Sequence, residues 1–256
     1  MIKMVNFLMS GCNGRMGQVI AESVKERSDI ALVCGVDTYT ERKNDFPVYP
    51  DFTAINEKVD VIIDFSNPSA LDGLLAYAIE NSIPCVLCTT GYSDAQLEAI
   101  GKASEKIAVF RSGNMSLGIN LLIELAKTAA KVFGQDFDVE IVEKHHKMKI
   151  DAPSGTALMI ADGIASVRDD DPEYIYDRHS VRKKRDQNEI GISSIRGGTI
   201  VGEHDVIFAG NNEVLTITHQ AQSRSLFAVG AINAAAFLAG KPAGSYDMSD
   251  LLKERY

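Results

Sequence analysis

The sequence predicts an α/β protein: a Rossmann-like doubly wound parallel sheet plus a second α+β domain with a mixed or antiparallel sheet. Three observations carry this. Through residue 110, short apolar runs alternate with helix-like segments, the signature of strands joined by crossover helices. A glycine-rich turn, Gly11 to Gly17, joins the first run to the first helix. Beyond Ser112, strand-like runs begin to follow one another without helices between them.

The apolar runs Met4–Met9, Ile30–Val36, Val59–Phe65, Ile83–Leu87 and Ile107–Phe110 are apolar on both faces, as strands covered by helices on both sides should be. Helical signals lie between them. A helix opens near Arg15, Asn67-Pro68 supplies a cap and an N1 proline before Ala70–Glu80, and Ser93 with Gln96 forms a capping box before Leu97–Ala103. The second half begins with a long apolar-faced helix, Leu117–Phe133, and a strand at Phe137–Val142. A helix then starts near Ser154 and runs to about Val167, followed by a charged, solvated loop, Arg168 to Asn188. Strands are expected at Ile190–Ile195, Thr199–Val201, Asp205–Phe208 and Val214–Thr218, then an alanine-rich helix, Leu226–Leu238, that crosses back to the first domain. The domains expected are 1–116 with 224–256, and 117–223.

With 256 residues, 45% of them hydrophobic, the chain can bury a substantial core. The net charge of −9 argues against nucleic acid as a partner. No apolar run approaches the roughly 20 residues that span a bilayer, and the apolar start reads as a first strand rather than an export signal. A cytoplasmic location is therefore expected, which suits four free thiols. Cys85 and Cys88 form a CxxC, but a separation of three along a strand points the two side chains to opposite faces. No metal site is expected, since the five histidines show no ligand spacing.

Gly11-Cys12-Asn13-Gly14-Arg15-Met16-Gly17 follows a strand and opens a helix. Glycines there let backbone N–H groups approach a pyrophosphate, and the helix N-terminus adds partial positive charge. The spacing is GxxGxxG, one residue longer than the usual fingerprint. Asp37 ends the second strand twenty residues beyond Gly17, where an acid accepts hydrogen bonds from the adenosine ribose; the alternative for it is a turn cap. Arg42 and Lys43 lie close enough in sequence to meet a 2′-phosphate, so both NADH and NADPH stay open.

A second informative stretch runs from Glu143-Lys144-His145-His146 through Lys149 to Ala152-Pro153-Ser154-Gly155-Thr156. Ser154 suits an N-cap, and the N–H groups near Gly155 and Thr156 can hold a carboxylate. His145 has the chemistry of a general acid, and Lys149 that of an anion partner or proton donor. Read alone, this segment supports an anion site beside titratable groups.

This stretch resembles the signature of the dihydrodipicolinate reductases, E-x-H-H-x-x-K-x-D-A-P-S-G-T-A. The resemblance extends over the chain, through Thr89-Thr90-Gly91, Ser112-Gly113-Asn114-Met115-Ser116, Ser194 to Gly198, Val201 to His204 and Thr218 to Arg224. It implies a reductase of lysine biosynthesis that uses NADH and/or NADPH on a small dicarboxylate. By the same resemblance, His145 and Lys149 are catalytic, and His146, Ser154, Gly155 and Thr156 hold the substrate. Gly11, Cys12, Asn13, Gly14, Arg15, Met16 and Asp37 would hold the adenosine and pyrophosphate. Cys88, Thr89, Thr90, Ser112, Gly113, Asn114 and Met115 would line the nicotinamide side. It also implies a homotetramer associating through the second domains' sheets, and domain closure during turnover. Three positions depart from the family pattern: Cys88 stands where glycine is usual, Met115 where an aromatic residue is frequent, and Thr38 where some members place a base after the acid. Two rivals share the first domain: a semialdehyde or homoserine type of dehydrogenase, and a non-catalytic dinucleotide sensor.

Overall fold

A computed structural model describes residues 4–254. In chain order its elements are β1 (Val5–Ser10), α1 (Arg15–Ser23), β2 (Ile30–Val36), β3 (Val48–Tyr49), β4 (Val61–Asp64), α2 (Leu71–Glu80), β5 (Cys85–Leu87), α3 (Asp94–Ser104) and β6 (Ala108–Arg111). There follow α4 (Leu117–Phe133), β7 (Asp138–His145), α5 (Gly155–Ala165), β8 (Glu173–Ile175), β9 (Glu189–Arg196), β10 (Gly202–Ala209) and β11 (Val214–Ala221). The chain ends with α6 (Ser225–Leu238), β12 (Gly244–Tyr246) and α7 (Met248–Lys253). It divides into two compact units: one holds the residues up to Ser116 and those from Ser225 onward, the other is Leu117–Arg224.

The first unit is built on a parallel sheet in the order β12-β6-β5-β4-β1-β2-β3. Its strands are apolar on both faces because helices cover both: Val61, Ile62, Ile63 and Asp64 of β4 are all buried. One side holds a core of Leu8, Ile62, Leu71, Leu74, Leu87 and Ile100 among others. The alanine-rich α6 packs on α1, β4, β5 and β6, where small side chains allow close approach. The anticipated caps form. Asn67 accepts from Ser69 N ahead of Pro68, and Ser93 and Gln96 cap each other reciprocally. The strand order reverses at β1 and β4, and the carboxyl ends of those strands are where such sheets bind ligands.

In the second unit the sheet order is β11-β10-β7-β9-β8, antiparallel between β11, β10 and β7 and parallel between β7, β9 and β8. Helices α4 and α5 cover one face, over a core that includes Val139, Ile141, Ile160, Ile164, Ile192 and Val206.

The structure corrects several expectations. Residues 199–201 are not a strand: Gly198, at φ +47°, turns the chain, and one strand, β10, begins at Gly202. Short β3, β8 and β12 and helix α7 went unpredicted; two or three residues at a sheet edge carry too little periodicity to register. The charged loop is also not wholly solvated. Arg178 and Lys183 ion-pair with the fully buried Glu189, and Arg185 pairs with Asp138 on β7. A buried carboxylate needs such partners. They outweigh its burial and hold Glu189 at about 2.

These groups set the acid stability. Burial holds His204 down at about 4 from 6.5, so proton binding favours the unfolded chain as pH falls below 6.5. Glu189 and Glu143 are depressed from 4.5 to about 2, so their stabilisation, complete above pH 4.5, is lost as pH falls towards 2. Melting temperature against pH is therefore expected to fall in two stages, below about 6.5 and again below about 4.5. A curve flat from pH 7 to 4 would contradict this assignment.

Candidate active site

The site residues of the second unit follow from the period-two alternation of β7. Its burial alternates along the strand, so Val139 and Ile141 enter the core and Glu143 and His145 continue the same buried row. A buried carboxylate must be paired and hydrogen-bonded to stay charged. Arg196 supplies the pairing as a fork, Nη1 donating to Oε2 at 2.8 Å and Nη2 to Oε1 at 2.7 Å. The parallel register of β7 with β9 brings it there, setting Arg196 beside His145. Ser154 N donates to Oε1 at 3.1 Å, and His145 Nδ1 lies 2.6 Å from Oε2. Burial alone would raise the Glu143 carboxyl; Arg196, His145, Ser194 and the Ser154 N–H outweigh it and bring it to about 2.

His145 itself is driven the other way. Burial lowers it below the ordinary imidazole value, against the pull of Glu143, so it is neutral at pH 7. On β10, His204 faces Glu143 across the antiparallel register, its ring edge-on to His145 with centroids 5.3 Å apart. His204 Nε2 lies 3.1 Å from Ser154 Oγ, which also accepts from Ala157 N as the N-cap of α5.

The chain between β7 and α5 folds over this cluster. Lys149 N donates to His146 O at 3.1 Å, turning the backbone, and Lys149 Nζ pairs with Asp151 at 2.8 Å. Arg196 Nη2 also donates to Asp151 O at 2.7 Å, just ahead of the cis Ala152–Pro153 peptide. His146 is half-buried, its Nε2 3.5 Å from Arg224. A Cβ at Gly155 would meet nothing within 4 Å, so there is space beside this residue at the start of α5. His145, His146, Lys149, Ser154, Gly155 and Thr156 are thus gathered at one strand end and one helix start. Sequence reading missed Glu143, Arg196 and His204 as members. Glu143 was legible as an acid two residues before His145 on the same strand face; the other two arrive through sheet register.

In the first unit, Gly11 has φ +79°, and a Cβ there would lie 2.6 Å from Phe65 O, so only glycine closes this turn against β4. Gly14 caps α1 without a side chain, leaving the first-turn N–H groups of Arg15, Met16 and Gly17 for an anion. Asp37 accepts from Asn13 N at 2.9 Å and Tyr39 N at 3.0 Å. Asn44 joins the same seam, donating to Asn13 Oδ1 at 2.9 Å and accepting from Gln18 at 3.1 Å. A cavity of about 490 Å³ runs past Gly11, Gly14, Asp37, Thr38, Asp51 and Ser66. Arg42 and Lys43 do not line it; Lys43 lies on a separate hollow along α1.

Cys12 is buried, its thiol pushed up to about 12 by burial and by Asp37, so it offers backbone only. Cys88 is likewise buried and its thiol raised. Thr89 Oγ1 donates to the buried Asp64 at 2.6 Å, and Ser66 Oγ does so at 2.5 Å, while Thr90 is exposed. Asp64 was not anticipated. Ser112 Oγ donates to Asn114 O at 2.9 Å, Gly113 is exposed, and Met115 is buried with its carbonyl against Gly230. Among the described residues, no three metal-ligating side chains gather, and no helix is long and apolar enough to cross a membrane.

A dinucleotide-type α/β unit joined to a unit that carries Glu143, His145 and Arg196 beside a helix start fits a nicotinamide-dependent oxidoreductase. Family models for the dihydrodipicolinate reductase N-terminus and C-terminus match residues 5–115 and 118–252. The chain belongs to the dihydrodipicolinate reductase family. It is 54% identical to a 4-hydroxy-tetrahydrodipicolinate reductase of Caldanaerobacter subterraneus subsp. tengcongensis, over 98% of this chain and 99% of that one. It is 49% identical to one from Clostridium tetani, over 97% of each. The fold matches a dipicolinate-bound dihydrodipicolinate reductase from Paenisporosarcina sp. TG-14 with a TM-score of 0.80 at 24% identity, covering 95% of this chain and 97% of that one.

With no cation among the residues lining this cavity and two carboxylates, Asp37 and Asp51, on it, a 2′-phosphate placed there would gain no charged side-chain partner. Asp37→Ala is expected to weaken NADH about tenfold while NADPH changes less, measured as dissociation constants by nicotinamide fluorescence. Equal loss of both would reduce Asp37 to a brace for the Asn13 loop.

Proposed function

We propose that this chain reduces 4-hydroxy-tetrahydrodipicolinate to tetrahydrodipicolinate with NADH or NADPH, in the diaminopimelate route of lysine biosynthesis. The observation that carries this reading is the buried Glu143–His145 pair beside Lys149 and the start of α5, in a chain of this family. The substrate is a dianion. Ser154, Gly155 and Thr156 at the start of α5 suit one carboxylate, and His146 and Lys149 suit the other. Holding both ends fixes the ring relative to the hydride donor, which is where most of the rate in such a transfer arises.

The cofactor, when bound, supplies the hydride. It would be held by Gly11 to Met16 and Asp37, with Thr89, Thr90, the backbone of Cys88 and Ser112 to Met115 on the nicotinamide side. Net, the ring hydroxyl leaves as water and a hydrogen replaces it, so one proton must be supplied along with the hydride. His145, neutral at rest, can take a proton from the ring and return it, and Lys149 is the second donor. The four buried free thiols suit a reducing, cytoplasmic setting. The sheet face opposite α4 and α5, with Ile195 46% exposed, suits the association of second units into a homotetramer.

A coupled assay tests this, in which a synthase generates the unstable substrate from pyruvate and aspartate semialdehyde and nicotinamide absorbance is followed. Oxidation requiring both precursors is expected, and Lys149→Ala should lower turnover at least ~100-fold with cofactor affinity unchanged. Cofactor binding without oxidation would favour a dinucleotide sensor instead.

A further inference from the structure

We infer that Glu143 is a positioning residue for the reaction: with Arg196 it locks His145 into the tautomer that carries its proton on Nδ1 and leaves Nε2 as the bare, reactive nitrogen. The inference rests on the reading of His145 as the proton carrier and adds what makes it one.

The geometry leaves the tautomer little choice. Glu143 is fully buried and ionised, so it only accepts hydrogen bonds, and His145 Nδ1 sits 2.6 Å from its Oε2. That nitrogen must therefore bear the hydrogen. Glu143 cannot turn away, because Arg196 grips both of its oxygens and Ser154 N donates to one of them. The other ring nitrogen faces Gly202, which puts no side chain against it. A Cβ at Gly202 would lie 3.0 Å from His145 Nε2, so any larger residue would crowd the nitrogen that faces away from Glu143.

The surrounding charges fit the same role. Glu143 on β7, Arg196 on β9, His204 on β10 and Lys149 with Asp151 in the following turn all lie around the ring, and His219 on β11 stands across from His204. Among them Glu143 alone contacts the ring through a carboxylate, so it is the group that stabilises the imidazolium once Nε2 has taken a proton. Its pull on His145 opposes burial. An orienting carboxylate behind a histidine is a general device: it fixes which nitrogen reacts and supports the charge that forms there.

Arg196 gives the arrangement a second consequence. Its guanidinium bonds Glu143 and, through Nη2, the Asp151 carbonyl, while Glu143 receives Ser154 N. One ion pair thereby sets both the proton carrier and the two ends of the turn that presents Lys149.

Two measurements test this on the intact protein. The first is nitrogen NMR of the native enzyme, with the His145 signals assigned by their loss in His145→Gln. A neutral His145 protonated at Nδ1 and bare at Nε2 is expected; a neutral ring protonated at Nε2 would overturn the inference, whatever any variant does. The second is Glu143→Gln in the coupled assay. Turnover is expected to fall at least ~100-fold, the acid limb of kcat/KM to move to lower pH, and NADH affinity to stay within about twofold. An unshifted limb with near-native turnover would also overturn it. Should this variant fold poorly because Arg196 is left unpaired, Glu143→Gln with Arg196→Met removes both charges together and is read in the same way. An inactive native protein whose His145 still shows the Nδ1 tautomer would sink the functional reading and leave the tautomer assignment standing.

Discussion

The arrangement of the second unit depends on one buried charge. Glu143 lies near the end of a strand whose inward row runs Val139, Ile141, Glu143, His145, in a place where an unpaired carboxylate could not remain ionised. Its solution is complete coordination: a bidentate arginine, a backbone N–H and an imidazole N–H. Each of those partners belongs to a different piece of the site. Arg196 comes from the neighbouring strand, Ser154 from the start of α5, and His145 from the strand itself. Satisfying the carboxylate therefore fixes the relative positions of the groups that would hold and protonate a substrate, and a network of this kind rigidifies only when every member is paired.

The first unit solves a different problem with different means. There the ligand-facing surface is mostly backbone, and the side chains serve to hold that backbone still. Gly11 lets the turn lie against Phe65 O, while Asp37, Asn13, Asn44 and Gln18 stitch the loop after β2 to the glycine turn. Asp37 consequently has two tasks. It braces the turn through Asn13 N, and it presents negative charge to the cavity where the ribose would sit. The bracing hydrogen bonds of Asp37 are present in the fold, and a comparison of two cofactors tests whether it also meets the ribose.

Much of the fold was legible because the relevant signals are local. Strands covered on both faces are continuous apolar runs, helix starts carry caps such as Ser93–Gln96, and the change from alternating to clustered strands marks the second unit. What escaped was non-local or very short. Arg196 reaches Glu143 only through the β7–β9 register, and His204 only through β7–β10; no spacing along the chain announces either. Thr199–Val201 carried β-branched residues into a turn set by Gly198, so propensity gave way to backbone conformation. In the charged loop 168–188, Lys183 stays exposed yet pairs with the buried Glu189, an ion pair that only tertiary contact creates.

Burial holds His145 neutral at rest, and the negative charge of a bound dianion strengthens its hold on the proton it carries during turnover. Calorimetric titration with dipicolinate in two buffers of different ionisation enthalpy measures that proton directly. The expected result at pH 7 is a net uptake on binding, absent in His145→Gln. Binding with no proton taken up, or an uptake that persists without His145, would contradict this role for His145.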